Sequence, residues 1–160
     1  MSKTLRVGIM GLGFIGRVHA NAYHAIPLCF PAAPVTGQVS AVLRSHAGSD
    51  EFTRQAGFDL VTTDLDEFLS APLDMVDICT PNDLHEPEAL AAIERGIPVY
   101  CEKPLARSLD EARRMAAAAE QRGVMTHTAF VMRYLPALRQ FEFIPDLVAG
   151  RDHLLQQDRV

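Results

Sequence analysis

Val7-Gly8-Ile9-Met10-Gly11-Leu12-Gly13-Phe14-Ile15-Gly16 carries a short apolar strand into a Gly-x-Gly-x-x-Gly turn and out into a helix. In a strand-turn-helix unit of this kind Gly11 permits the tight turn, Gly13 lets the backbone approach a pyrophosphate, and Gly16 lets the helix pack closely on its strand. The helix opens around Phe14 and Ile15, and its first N–H groups, which have no intrahelical acceptor, face the anion. Glycine spacing alone is a loose criterion, so its meaning depends on the segments that follow.

Those segments alternate. Strand-like apolar runs at 5–10, 38–43, 59–62, 75–80, 97–101 and 124–128 are separated by helical stretches, the pattern of a parallel sheet wrapped by helices. Asp64 with Glu67, and Ser108 with Glu111, mark helix starts by the spacing of a side-chain cap and an acidic third residue, while Gly96 and Gly123 mark helix ends. Within 111–122, Ala112, Met115, Ala116 and Ala119 recur three and four apart on one face, as an amphipathic helix requires. Pro27, Pro31 and Pro34, around Cys29 and Phe30, predict an inserted surface loop over 27–34, because proline does not continue a helix. The expected fold is α/β, a doubly wound parallel sheet (Rossmann fold) of about six strands with helices on both faces. Residues 1–140 are expected to form a dinucleotide-binding domain, and 141–160, interrupted by Pro145, a terminal helix with a frayed tail.

Composition narrows the function classes. The chain has 160 residues, 48% hydrophobic and 22% charged, enough for one domain with a core of its own. The net charge of −5 includes no block of like charges, which argues against nucleic acid or a membrane surface as partner. Cys29, Cys79 and Cys101 are odd in number, lack Cys-x-x-Cys spacing, and in two cases fall in expected strands, where cysteine acts as a small hydrophobe. A reduced, cytoplasmic setting fits. The six histidines lack zinc-site spacing, so no metal is expected, and His19 and His24 on the first helix are expected to be solvated or packing residues. Neither a signal peptide nor an apolar run of membrane-spanning length is visible.

Two further segments carry chemistry. Cys79-Thr80-Pro81-Asn82-Asp83-Leu84-His85 follows the fourth strand and Tyr100-Cys101-Glu102-Lys103-Pro104-Leu105 contains the end of the fifth, both where open α/β sheets bind ligands. Taken in order with the glycine turn, they closely resemble the N-terminal cofactor domain of the Gfo/Idh/MocA oxidoreductase family, over about residues 4–140. The resemblance implies that Lys103 of the Glu102-Lys103-Pro104 motif lies near the nicotinamide and assists proton transfer, and that Pro104 follows a cis bond. It also implies that Thr80, Pro81 and Asn82 line the cofactor ribose, that His85 lies near the nicotinamide end, and that Arg133 and Tyr134 form an Arg-aromatic pair. Val131 departs from the asparagine often found in that last segment.

Beside the resemblance stand readings from the residues themselves. A primary amine next to a carbonyl or alcohol, such as that of Lys103, can relay a proton while hydride moves, whereas an isolated Lys-Pro is usually a solvated turn. His85 can equally be a helix-start residue making local hydrogen bonds, and Asn82 or Asp83 an N-cap.

The second strand bears on the choice of dinucleotide. An acidic residue at its end would bind the ribose 2′-OH of NAD, but here the chain continues Arg44-Ser45-His46. Arg44 offers a planar donor fork and Ser45 a hydroxyl to a 2′-phosphate, a contact worth about 1.5–3 kcal/mol, so NADP is favoured, with NAD possible. Members of the family carry a second domain that supplies the substrate pocket, and the chain ends where that domain is expected to begin. An oxidoreductase cofactor domain, either a fragment of a longer reading frame or a truncated gene product and taking a small-molecule substrate only if a second domain is supplied, is therefore weighed against a stand-alone nucleotide-binding module. A short-chain dehydrogenase is disfavoured, since Tyr23, Tyr100 and Tyr134 all lack a lysine four residues on.

Overall fold

The computed structural model describes residues 3–46, 48 and 51–135. Six strands, β1 (Lys3–Met10), β2 (Val35–Leu43), β3 (Leu60–Thr62), β4 (Met75–Ile78), β5 (Val99–Cys101) and β6 (Thr126–Thr128), form one sheet in the order β3-β2-β1-β4-β5-β6, with every pairing parallel. The order reverses between β1 and β4, which creates a crevice at the carboxyl ends of the strands. The crossovers carry α1 (Phe14–Cys29), α2 (Glu51–Ala56), α3 (Leu65–Ser70), α4 (Asn82–Glu94) and α5 (Leu109–Arg122). The sheet belongs to a unit ending at Ala129; a second unit begins at Phe130, of which a 3-10 turn, Val131–Tyr134, is described. The terminal helix expected at 141–160 lies outside the described residues.

Alternation along the strands assigns the two faces. Val7 and Ile9 of β1 pack with Ala20 of α1 and with Phe52 and Phe58 on one side. Met10, Val76 and Ile78 pack on the other with Phe68 of α3, Ala89, Ala92 and Ile93 of α4, and Met115 and Ala119 of α5. Each fully buried Val, Ile or Phe contributes about 1.5–3 kcal/mol of burial free energy, so both helix layers are held by the strand pattern itself. Among the described residues no helix is long and apolar enough to cross a membrane.

Local signals in the sequence meet their expected partners at several ends. The Asp64 carboxylate accepts from the N–H groups of Asp66 and Glu67, the Ser108 hydroxyl accepts from Glu111 N–H, and Gly123 ends α5 at φ 63°. Two expectations are corrected. The segment predicted as a 27–34 loop is helical as far as Cys29, with Pro27 inside α1; the proline lies in the exposed last turn, where Phe30 N–H still reaches the Ile26 carbonyl at 2.8 Å. Asn82 is the first residue of α4 rather than its cap; Pro81 occupies the cap position, with no side-chain cap bond. β4 stops at Ile78, two residues short of the predicted end, because Cys79 and Thr80 already turn toward α4.

Candidate functional site

The glycine turn sits at the crevice. Gly11 adopts φ 88° and donates its N–H to the Leu43 carbonyl at 2.9 Å, while Cys79 N–H bonds the Met10 carbonyl at 2.8 Å, so the turn is sewn between the ends of β2 and β4. A Cβ on Gly16 would overlap the carbonyl oxygen of Gly11, which explains why α1 starts so close to the turn. Gly13 differs: a Cβ there would meet nothing within 4 Å. Its backbone borders open space, and that space is a cleft of about 900 Å³.

The cleft is lined by Gly11, Leu12, Gly13, Phe14 and Ile15, by Arg44, Ser45 and His46 from the end of β2, and by Cys79, Thr80 and Pro81 from the end of β4. Gly13 occupies the cap position of α1 without a side-chain cap bond, and the first turn carries no acidic residue. A helix that leaves its first N–H donors and its positive dipole end without a protein carboxylate suits an anion. A dinucleotide pyrophosphate therefore fits the cradle in size, backbone approach and charge. Arg17, one turn into α1, also lines the cleft; its Nε donates to the Leu12 carbonyl at 3.3 Å and its guanidinium lies 5.2 Å from the centre of the Phe52 ring.

At the far side of β2, Arg44 Nη1 donates to the Gly48 carbonyl at 2.9 Å and to Thr53 Oγ1 at 3.1 Å, and Nη2 lies 3.4 Å from His46 Nε2. Ser45 Oγ is 3.1 Å from His46 Nδ1. The guanidinium is thereby fixed at the cleft wall instead of extending into solvent. On the β4 side the Thr80 hydroxyl donates to Glu88 Oε2 at 2.5 Å, and burial holds the Glu88 carboxyl above the usual carboxylate range, partly opposed by that hydrogen bond.

Glu102, Lys103 and Pro104 lie beyond β5 and do not line the cleft. The Lys103–Pro104 peptide is cis. Lys103 is exposed, and its backbone N–H donates to Glu102 Oε2 at 3.1 Å. Asn82, at the start of α4, is also exposed. Arg133 belongs to the second unit, where its N–H donates to the Phe130 carbonyl at 3.0 Å. His85 lies on α4. It is fully buried, with Nδ1 2.9 Å from the Pro104 carbonyl oxygen and Nε2 2.9 Å from that of Thr80. The ring is a clasp between the segments following β4 and β5, so of the two alternatives weighed from the sequence the geometry favours local hydrogen bonding.

A second polar group, not singled out in the sequence, lies on the α1 face of the sheet. Asp77, in the middle of β4, is fully buried; its Oδ2 accepts from Tyr23 Oη at 3.1 Å and lies 2.9 Å from His19 Nδ1, and its Oδ1 accepts from Cys79 Sγ at 3.4 Å. His19 Nε2 is 3.3 Å from Glu102 Oε1. The hydrogen bond to Asp77 raises the His19 pKa above its ordinary value, against desolvation, with the charges of Asp77 and Glu102 adding to the effect. Burial pushes the Cys79 and Tyr23 groups strongly toward their protonated forms and the Cys101 thiol up to about 12. These cysteines are therefore not thiolate nucleophiles at neutral pH. His19, Asp77 and Cys79 bring N, O and S donors within 4.8 Å of one another, and these atoms are joined to each other by hydrogen bonds. The signal that would have exposed this group is the carboxylate between Val76 and Ile78, a charge in a buried strand that demands partners, with His19 and Tyr23 one turn apart on the facing helix.

Comparison with known proteins gives this geometry relatives. Residues 5–130 match the Gfo/Idh/MocA family described as an oxidoreductase family with an NAD-binding Rossmann fold. Levoglucosan dehydrogenase of Pseudarthrobacter phenanthrenivorans is 38% identical over 140 residues, covering 85% of this chain and 35% of that protein. Inositol 2-dehydrogenase 4 of Saccharopolyspora erythraea is 34% identical over 137 residues, covering 84% and 39%. A solved levoglucosan dehydrogenase, in complex with NADH and levoglucosan, superposes with a TM-score of 0.74 at 36% identity over 80% of this chain and 35% of that one. The chain thus spans between a third and two fifths of the length of these relatives.

Proposed function

This chain belongs to the Gfo/Idh/MocA oxidoreductase family, and we propose that it is the cofactor-binding part of an enzyme that moves hydride between a nicotinamide dinucleotide and an alcohol or carbonyl carbon of a sugar or polyol. The substrate class rests on the relatives, named as dehydrogenases of levoglucosan and inositol. The observation that carries the proposal is the open backbone at Gly13 above an uncapped, acid-free start of α1, inside a cleft of about 900 Å³.

When bound, the dinucleotide supplies or accepts the hydride at its nicotinamide ring. The chain's own residues bind and orient. First-turn N–H groups of α1 hold the pyrophosphate, with Arg17 adding positive charge. Thr80, Pro81 and Asn82 hold the ribose on the nicotinamide side. The Lys103 ammonium, presented beyond β5, donates a proton to the substrate oxygen during carbonyl reduction and its amine takes one back during alcohol oxidation. Glu102 holds the Lys103 backbone N–H, so the lysine starts from a fixed peptide. Arg133 is proposed as a cofactor contact, and a second domain as the source of the substrate pocket.

For the choice of dinucleotide we favour NADP. The residues directly after β2 are Arg44, Ser45 and His46, none of them a carboxylate, and Arg44 and Ser45 stand fixed at the cleft wall where a 2′-phosphate would arrive. Parallel fluorescence titrations with NADPH and NADH test this: NADPH is expected to bind about tenfold tighter, from one charge-assisted contact. Equal affinities would overturn the preference. The oxidoreductase reading is tested by supplying the chain, joined to a family substrate domain, with cofactor and a panel of polyols. Turnover that falls at least about a hundredfold in Lys103→Ala supports it. Undiminished turnover in that variant removes Lys103 from the mechanism, and binding without turnover favours the nucleotide-binding module.

A further inference from the structure

Lys103 is held at one remove by a side chain that never reaches the cleft. Three contacts run in series from the sheet interior: Asp77 Oδ2 to His19 Nδ1 at 2.9 Å, His19 Nε2 to Glu102 Oε1 at 3.3 Å, and Glu102 Oε2 to the Lys103 backbone N–H at 3.1 Å. His19 stands on α1 and does not line the cleft. Asp77 is central in β4 and fully buried. The series therefore joins the helix whose N-terminus holds the phosphates to the loop that carries the proposed proton donor.

We propose that His19 is a positioning residue that, as an imidazolium donating through both ring nitrogens, ties the Glu102-Lys103-Pro104 loop to α1 and to Asp77. Both acceptors are carboxylates, so only the doubly protonated ring satisfies both contacts at once. A neutral ring turns a lone pair toward one carboxylate. The geometry makes Glu102 the weaker partner, since its contact is longer and its side chain is 11% exposed against 0% for Asp77. Loss of the proton is therefore expected to release Glu102 first, and with it the carboxylate that holds Lys103.

The groups facing His19 come from three elements. β4 contributes Asp77, and the residue just past its end, Cys79, has its Sγ 3.3 Å from Nδ1. β5 contributes Tyr100, with its ring centre 6.1 Å away and stacked with His127 of β6, and the segment after it contributes Glu102. α1 itself contributes Tyr23, which shares Asp77 Oδ2. Apart from His127, which stacks on Tyr100, the neighbours are carboxylates or hydroxyl and thiol groups. The raised pKa of His19 has this arrangement as its cause.

The catalytic meaning of this linkage rests on the proposed role of Lys103, but the linkage can be read without cofactor. The test is an NMR pH titration of the ring signals of His19 and the backbone amide of Lys103 in the cofactor-free chain. Wild type is expected to show the Lys103 amide moving with the His19 midpoint. In His19→Asn that transition disappears from the Lys103 amide. In Glu102→Gln, which keeps an acceptor for Lys103 but removes the charge, the His19 midpoint falls by about one pH unit, a tenfold change in proton affinity. A Lys103 amide that titrates identically in His19→Asn, or a His19 midpoint indifferent to Glu102→Gln, overturns the proposal; the second variant decides should the first fail to fold. Absence of dinucleotide binding by wild type would instead defeat the cofactor-domain reading and leave this result standing.

Discussion

The two ends of the crevice are built from different materials. The phosphate end is backbone: a glycine at positive φ, a glycine whose Cβ would overlap a carbonyl, a third beside open space, and the uncapped start of α1. The loop end, beyond β5, is side chain: Asp77 from one strand, His19 and Tyr23 from a helix, Glu102 and the His85 clasp from two further segments. A backbone device is contiguous in sequence and imposes strict residue types. A side-chain network draws on residues 19 to 102, and any one member taken alone looks ordinary.

The largest expected effects come from breaking either device at its least forgiving atom. Gly16→Val puts a branched side chain into the Gly11 carbonyl and is expected to cost about 3 kcal/mol or more, read as a lowered urea midpoint with an unchanged slope. At the other end Asp77→Ala leaves His19, Tyr23 and Cys79 without their shared acceptor. A loss of about 3 kcal/mol is expected, with the Tyr23 hydroxyl and His19 ring facing an apolar gap. Should Asp77→Ala cost less than a surface substitution, the network contributes nothing and the contrast between the two ends fails.

This difference decides what was legible. The parallel sheet and its helix layers followed from apolar periodicity and from caps such as Ser108 and Gly123, all local features. The glycine turn followed likewise, and Thr80, Pro81, Arg44 and Ser45 did come to one cleft. The extension of α1 through Pro27 was missed because an exposed last turn tolerates a missing N–H better than an interior one. The burial of His85 was missed because its two partners are carbonyls of Thr80 and Pro104, and a carbonyl has no signature in sequence. His19 read as a solvated or packing residue because its two carboxylate partners lie 58 and 83 residues away, and the parallel pairing of β1, β4 and β5 brings them beneath α1.

A smaller effect sharpens the comparison by pH. His19 has a folded pKa above the ordinary histidine value, so its contribution to stability is complete below about pH 6.5 and is lost as pH rises through the folded midpoint. Urea unfolding of wild type and His19→Asn between about pH 5.5 and 9 is expected to show the gap between them narrowing as pH rises. A gap that widens with pH contradicts the charge-bridged arrangement. The smallest expected change is in Arg44→Ala, which leaves stability within about 0.5 kcal/mol and brings NADPH and NADH affinities within about threefold of each other.

The central claim, that the start of α1 is an anion cradle kept open for a dinucleotide, is tested most directly with Gly13→Asp. Gly13 lies at φ −71° and ψ −160°, an extended conformation that aspartate adopts readily. There its carboxylate caps the free N–H groups of the helix and occupies the place of the phosphates. The account expects the variant to be as stable as wild type or more stable by a few tenths of a kcal/mol, while affinity for NADPH and NADH falls at least about tenfold in fluorescence titration. Unchanged affinity in a stably folded Gly13→Asp chain would contradict it.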